Sequence, residues 1–266
     1  MRAVSFWGGP VSWVERLCAE SISRHFESLT IYSYEHEFLA EQGLQAQIRD
    51  AREILQEDSP VQHYRNIGQY NTFANLFRLC LLSREVGIWV DMDCLFLRPI
   101  LSKSDYVFGF SEPGKINNAV MLLPADSPIL QDYLEALMEM PVRTPWASFP
   151  RRLRRSLAIL AGEKACAKNE KLSTGPRAFT YFLRRHGLLG FAEATEVFYP
   201  LPSNESLLDE LFLATKRDRL EARMSPTTSC VHLWRGGLGS QGLLSQMPER
   251  GSWLADRMEE YGIRWS

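Results

Sequence analysis

A strand, a capped helix and a second strand fill the first 34 residues of the chain. Ala3 to Trp7 is a short apolar run, and Gly8-Gly9-Pro10 breaks it. Ser12 and Glu15 stand at capping-box spacing. Behind them Val14, Leu17, Cys18, Ile22 and Phe26 recur at helical spacing, which makes one buried stripe. Leu29 to Tyr34 is strand-like again. A β-α-β unit this short joins parallel strands, so the chain is read as an α/β protein on a mostly parallel sheet.

The rest continues that alternation. Asp50 to Leu55 reads as a short helix or turn leading to Pro60, and Asn71 to Glu85 as a strongly apolar helix ended by Gly87. Ile88 to Leu97 is one strand stopped by Pro99. Tyr106–Phe110 and Ala119–Leu123 are strands around a loop with Glu112-Pro113-Gly114. Asp126-Ser127-Pro128 opens a helix through Met138, a cap followed by proline in the first turn. Further on come a helix near Ala178 to His186, a strand near Val197-Phe198-Tyr199, and Cys230-Val231-His232-Leu233-Trp234. We read 1–240 as one catalytic-size domain with a basic helical insertion at 141–172, and 241–266 as a helical tail packed on it.

Composition removes several classes. At 45 % hydrophobic and 23 % charged, 266 residues hold enough apolar mass for a full core. Five cysteines (18, 80, 94, 166 and 230) with no C-x-x-C pair indicate neither a zinc knuckle nor a disulfide framework. The opening is too quickly broken for a signal peptide, and no run nears the roughly 18 apolar residues of a span. The expectation is a cytoplasmic protein that can touch the inner face of the membrane.

The chemistry centres on Ile88-Trp89-Val90-Asp91-Met92-Asp93-Cys94-Leu95. On a strand, Asp91 and Asp93 point to one face. Their place at the end of an apolar run is costly unless a cation neutralises them. Mg²⁺ or Mn²⁺ does this and leaves room for substrate phosphates. The plain alternative is a strand end with two solvated acids. On the preceding helix, Asn71, Asn75 and Arg78 form one polar stripe on an otherwise apolar surface. An Arg there suits a diphosphate or a sugar hydroxyl, or else pairs with one of the aspartates. His232, between Val231 and Leu233, is a metal ligand or a packed core histidine.

Asn71 to Pro99, NTFANLFRLCLLSREVGIWVDMDCLFLRP, resembles the core of D-x-D glycosyltransferases of GT-A fold. The resemblance is to α-1,4-galactosyltransferases, yeast-type α-1,6-mannosyltransferases and bacterial capsule or lipopolysaccharide sugar transferases (glycosyltransferase family 32). Glucosylating toxins share this block. Ser5-Phe6-Trp7 to Leu17, Tyr32-Ser33-Tyr34, Asp50 to Leu55, Asn117-Asn118-Ala119-Val120, Thr174-Gly175-Pro176 and His232-Leu233-Trp234 follow in the family's order. The family's Ser-Asp-Leu acid is Asn75 here, and the first Gly of its Gly-Gly pair is Val86.

The resemblance implies a Rossmann-like GT-A fold and a metal-dependent, retaining transfer. A hexose would pass from a nucleotide diphosphate sugar, UDP-hexose before GDP-hexose, to a bacterial surface glycan or glycolipid. Asp93 would bind Mn²⁺ or Mg²⁺ directly, Asp91 would contact the donor and the metal shell, and His232 would approach from the C-terminal side. Arg78 and Asn75 would hold the donor sugar, with Asn71 and Gly175 beside them. Trp7 would lie against the base, Asn117 or Asn118 would line the sugar pocket, and Trp234 would stand by His232. Asp91, Asp93 and Arg78 form the implied catalytic set.

Two other readings stay open. A haloacid-dehalogenase-type phosphatase also ends a strand in D-x-D, but Cys94 follows here and no paired downstream acids appear. A catalytically silent sugar-nucleotide binder would fit Asn75. Arg143 to Arg185 holds eleven Lys or Arg against Glu163 and Glu170, in a chain of net charge −2. This block lacks interleaved aromatics, so no nucleic-acid partner is expected. Within it, residues 151–160 place Leu153, Leu157 and Leu160 on one helical face with arginines on the others. That pattern fits a peripheral contact with an anionic membrane, or an ordinary surface helix packed on the core.

Overall fold

The computed structural model describes residues 1–57, 59, 62–102, 104–163, 172–202 and 208–264. Pro60 and, in the basic block, Lys164, Cys166, Lys168, Glu170 and Lys171 lie outside the described residues.

The opening unit is β1 (Arg2–Phe6), α1 (Trp13–His25) and β2 (Ser28–Ser33). The capping box is formed: Ser12 N donates to Glu15 Oε2 at 2.6 Å, and Ser12 Oγ accepts from the first turn. β1 and β2 pair in parallel, Ala3 against Leu29 and Phe6 against Tyr32. α2 (His36–Glu41) leads to β3 (Gln47–Asp50), parallel to β2, and Asp50 caps a single 3₁₀ turn at Ala51–Glu53. α3 (Gln62–Asn66) and the buried α4 (Tyr70–Leu82) then carry the chain to β4 (Ile88–Val90), parallel to β1 on its other side. Gly87 makes that approach possible. Its φ is +152°, and a Cβ there would lie 2.4 Å from Arg2 O.

Because β2 and β3 grow to one side of β1 and β4 to the other, the strand order reverses between β1 and β4. A crevice outside the carboxyl ends of parallel strands opens at such a reversal. Trp7 follows β1 and Asp91 follows β4, so both stand at it. The sheet is completed by β6 (Val107–Glu112) and β7 (Lys115–Leu122), a hairpin whose β7 pairs antiparallel with β4. Its order is β3-β2-β1-β4-β7-β6. This is an α/β fold with a mostly parallel central sheet flanked by helices.

Alternate strand residues feed two cores, as a period of two requires. Val4, Trp89 and Met121 face α4, α5 (Pro128–Met138) and α7 (Pro176–Arg185), with Phe73, Phe77, Tyr133 and Phe179. Ala3, Ile88, Val90 and Val120 face α1 and α8 (Thr195–Phe198). Each such large side chain stabilises by about 1.5–3 kcal/mol. Next to α1, residues from α9 (Arg217–Glu221) and α10 (Trp253–Glu260) bury Leu220, Trp253, Leu254 and Met258, and Tyr261 OH donates to Phe96 O at 2.9 Å. No helix among the described residues is long and apolar enough to cross a membrane.

Several local expectations are corrected. Residues 88–97 are not one strand. After β4 the chain turns at Asp91–Asp93, with Cys94 N bonded to Asp91 O at 3.1 Å, and resumes as β5 (Cys94–Phe96). β5 leaves the main sheet and pairs antiparallel with β8 (Cys230–His232). The two aspartates therefore sit on a turn, not on one strand face. Val197 and Phe198 end the short helix α8 rather than form a strand, and Tyr199 follows it. The 112–114 loop is a tight hairpin turn, so Asn117 and Asn118 lie within β7. Finally, α6 (Phe149–Leu160) does not pack its leucines on the core: Leu153, Leu157 and Leu160 are exposed, and Arg155 is its one buried residue.

Candidate active site

Two polar networks meet at the Asp91–Asp93 turn. The first hangs on Arg78, which α4 carries one turn after Asn75. Arg78 is buried, a state an arginine tolerates only when its charge is matched. Its Nη2 lies 2.6 Å from Asp91 Oδ1, its Nη1 donates to Asn118 O at 2.5 Å, and its guanidinium lies 4.6 Å over the Trp89 ring. Trp89 Nε1 also donates to Asp91 Oδ1, at 2.6 Å. The Asp91 carboxylate stays 28 % exposed, so it can still meet a ligand. Asn118 Nδ2 donates to Asn75 Oδ1 at 2.9 Å, and Asn75 Nδ2 donates to Thr174 Oγ1 at 3.2 Å. Gly175 lies against this amide: a Cβ there would come within 3.0 Å of Asn75 Nδ2.

The second network joins residues 139 positions apart, Asp93 and His232. The β5–β8 pairing sets Cys94 opposite His232 and so brings the imidazole to the turn. His232 Nε2 lies 2.9 Å from Asp93 Oδ1, while Arg235 N donates to Asp93 Oδ2 at 2.9 Å. Trp234 packs on His232 with ring centroids 4.0 Å apart and holds φ at +52°, an uncommon backbone state for a bulky residue. Its Nε1 donates to Leu201 O at 3.0 Å, which fixes the ring.

Charge is divided unequally here. Burial resists ionisation of Asp93, but the His232 charge and hydrogen bond outweigh it and hold the carboxyl below its ordinary value. Burial likewise opposes charge on His232, and Asp93 outweighs that too, so the imidazole is raised. Burial pushes Asp91 up against the pull of Arg78, and the Asp93 charge adds to the rise. Two close carboxyls thus titrate apart, Asp93 kept ionised by His232 and Asp91 resisting ionisation.

One oxygen of Asp93, a ring nitrogen of His232 and Cys94 Sγ lie within 4.8 Å of one another. The carboxylate oxygen suits Mn²⁺ or Mg²⁺, while an imidazole more often holds a softer transition-metal ion. The Cys94 thiol is pushed up by burial and so stays protonated; it is the poor member of the three. His232 Nδ1 and Arg78 Nε are buried without partners among the described residues, as atoms awaiting a ligand or water would be. Asp93 and His232 are the residues of this group that could hold a divalent cation.

Of the remaining candidates, Trp7 stands at the end of β1 with its indole Nε1 buried and unpartnered among the described residues. Asn117 spends its Oδ1 on Ala119 N at 2.9 Å, and Asn71 is exposed one turn ahead of Asn75. Sequence reasoning missed Arg235. Its guanidinium lies 5.0 Å over the Trp7 ring and pairs with the fully buried Glu15. The capping-box acid of α1 thus also anchors a cation beside the acid pair. The available signal was an arginine directly after His232-Leu233-Trp234.

No protein-family model and no curated protein matches the sequence. Among solved structures, the chain is similar to the PaToxG glycosyltransferase, with a TM-score of 0.51 at 15 % identity, over 98 % of this chain and 85 % of that one. At that identity the likeness is one of fold: the chain is folded as a glycosyltransferase is.

Proposed function

We propose that the chain is a metal-dependent glycosyltransferase that moves a hexose from a nucleotide diphosphate sugar to a glycan or glycolipid hydroxyl. The observation that carries this reading is the strand-order reversal between β1 and β4, where Asp91 and Asp93 turn and His232 meets Asp93 at 2.9 Å. The fold likeness supports it, as does the order of short motifs along the chain.

Mn²⁺ or Mg²⁺ held by Asp93 and His232 would supply the counter-charge for a diphosphate leaving group. Trp7 would offer the base the ring face that the Arg235 guanidinium leaves open. Arg78 acts through Asp91, whose oxygen it fixes, and Asn75 and Asn118 present a polar wall to the sugar. Arg235 is the cation beside Trp7 and is placed for the diphosphate, where negative charge grows in the transition state. The anomeric carbon–phosphate oxygen bond breaks, and a bond from that carbon to the acceptor oxygen forms. The acceptor proton leaves with the diphosphate oxygen. We favour attack from the side the diphosphate leaves, which retains configuration.

A thermal-shift panel of UDP- and GDP-sugars with Mn²⁺ tests the reading, because a ligand of the native state raises Tm. UDP-hexose is expected to give the largest rise, and chelator to remove it. Free phosphate release from phosphomonoesters, with no response to any nucleotide sugar, would replace this reading with a phosphatase.

A further inference from the structure

α6 is turned the wrong way round for a helix of a soluble domain. Among the described residues eleven large apolar side chains are exposed, and four of them stand on this one helix. Phe149 is 72 % exposed, Leu153 49 %, Leu157 57 % and Leu160 83 %. At 3.6 residues per turn these four fall within an arc of about 80°. The other seven are distributed over the rest of the chain, as single surface apolar residues ordinarily are.

The opposite side of the helix faces the protein and is held there by a charge. Arg155 is buried, its Nε donates to Val142 O at 3.1 Å, and its Nη1 lies 3.3 Å from Glu163 Oε2. The stripe is thus fixed outward rather than free to roll inward. Arg152 and Arg154 lie on either side of it, each about 100° from its centre at 3.6 residues per turn. Arg143, Thr144, Arg152, Arg155 and Leu160 line a cavity of about 380 Å³ beside the helix. Arg143, Arg151, Arg152 and Arg154 are exposed, and α6 itself carries no acid.

We propose that α6 is an interfacial helix that seats the protein on an anionic lipid bilayer. The apolar stripe would enter the boundary between headgroups and acyl chains, as amphipathic helices with basic flanks do. Arg152 and Arg154 would meet lipid phosphates at that depth, and the cavity would take a headgroup. Charge selects this occupant. A second copy of the chain would present the same basic rim to itself, whereas an anionic membrane complements it. The surface is separate from the acid pair, and vesicle binding is read without donor or acceptor. Its outcome is therefore independent of the transferase reading.

The test is flotation of the whole protein with vesicles of phosphatidylcholine, with and without about 30 mol % phosphatidylglycerol, whose charge gives the bilayer a negative surface potential. Binding is expected on the anionic vesicles, falling with salt. R152Q/R154Q should weaken it roughly 25-fold at low salt, taking about fivefold per arginine. Leu153→Ser/Leu157→Ser should abolish it while leaving Tm unchanged, because both side chains are already exposed. Failure of the wild type to float with anionic vesicles at low salt overturns the proposal. So does equal binding to neutral vesicles, or a concentration-dependent dimer that Leu157→Glu dissolves.

Discussion

Arg78 and Arg152 carry the same side chain into opposite surroundings. Arg78 sits inside the sheet-side wall of the site, with both terminal nitrogens committed to Asp91 and Asn118 O. Arg152 stands exposed on α6, on the rim of an apolar stripe. Around the Asp91–Asp93 turn nearly every charge meets a counter-charge or a backbone donor. On α6 only the buried Arg155 is so tied. A buried charge is held because releasing it is expensive; an exposed one is free to find a partner from outside. The first region is built to keep its geometry until a ligand arrives, and the second to present a surface.

The largest expected effect is at the turn. Asp93→Ala should lower Mn²⁺-dependent hexose transfer by about a thousandfold or more, equivalent to about 4 kcal/mol of transition-state stabilisation. Donor hydrolysis, followed by release of the nucleotide diphosphate, measures it. Full activity of this variant, or of the wild type in excess chelator, would remove the acid pair from the chemistry.

Stability separates the two arginines next. Arg78→Gln leaves Asp91 without its cation inside the wall and should cost about 3–5 kcal/mol in urea unfolding. Arg152→Gln should stay within about 0.5 kcal/mol of the wild type, since its exposed side chain makes no hydrogen bond or ion pair among the described residues. Similar losses for both would erase the contrast.

The ion pair at the turn adds a pH test, with chelator present. His232 is raised above its ordinary 6.5, so its contribution is complete below that value and fades as pH climbs through the raised one. Asp93 is lowered from 3.8, so its contribution is present above that value and fades as pH falls through the lowered one. The stability difference between wild type and His232→Gln should therefore be greatest between these ordinary values and shrink at alkaline pH. Thermal unfolding across pH 4 to 9 (about the range between Asp and Lys titration) reads it. A difference that grows with pH would mean that the pair is not ionised.

Much of this was legible beforehand for local reasons. The capping box at Ser12 and Glu15 is a four-residue pattern, and the β-α-β unit follows from periodicity within 34 residues. What escaped is non-local. The apolar run from Ile88 to Leu97 carries no mark of the break at Asp91–Asp93, because the break depends on partners far along the chain: Leu233 N on Asp93 O and Val231 opposite Leu95. Arg235 reached the site by the same route, through β8. α6 failed differently. Its spacing was read correctly as amphipathic, yet spacing alone does not say which side faces inward, and the buried Arg155 decides that.

The smallest effect concerns Asn75, where the family pattern resembled here has an acid. Its Oδ1 accepts from Asn118 Nδ2 at 2.9 Å, and its Nδ2 donates to Thr174 Oγ1 at 3.2 Å. Asn75→Asp keeps the first bond. It keeps the second too if the Thr174 hydroxyl turns to donate, as a hydroxyl can. Arg78 stands on the same helix face, three residues on, and favours a negative charge there. The stability change should thus remain within about 1 kcal/mol, a shift of about 2–4 °C in Tm for a chain of this size. Donor kinetics should move instead, because a carboxylate accepts a sugar hydroxyl more strongly than an amide does. The expected result is a several-fold change in KM or kcat for the donor, or a changed order among donor sugars. A large drop in Tm with unaltered kinetics would assign Asn75 to the packed wall, on the Arg78 side of the contrast, with no part in meeting the ligand.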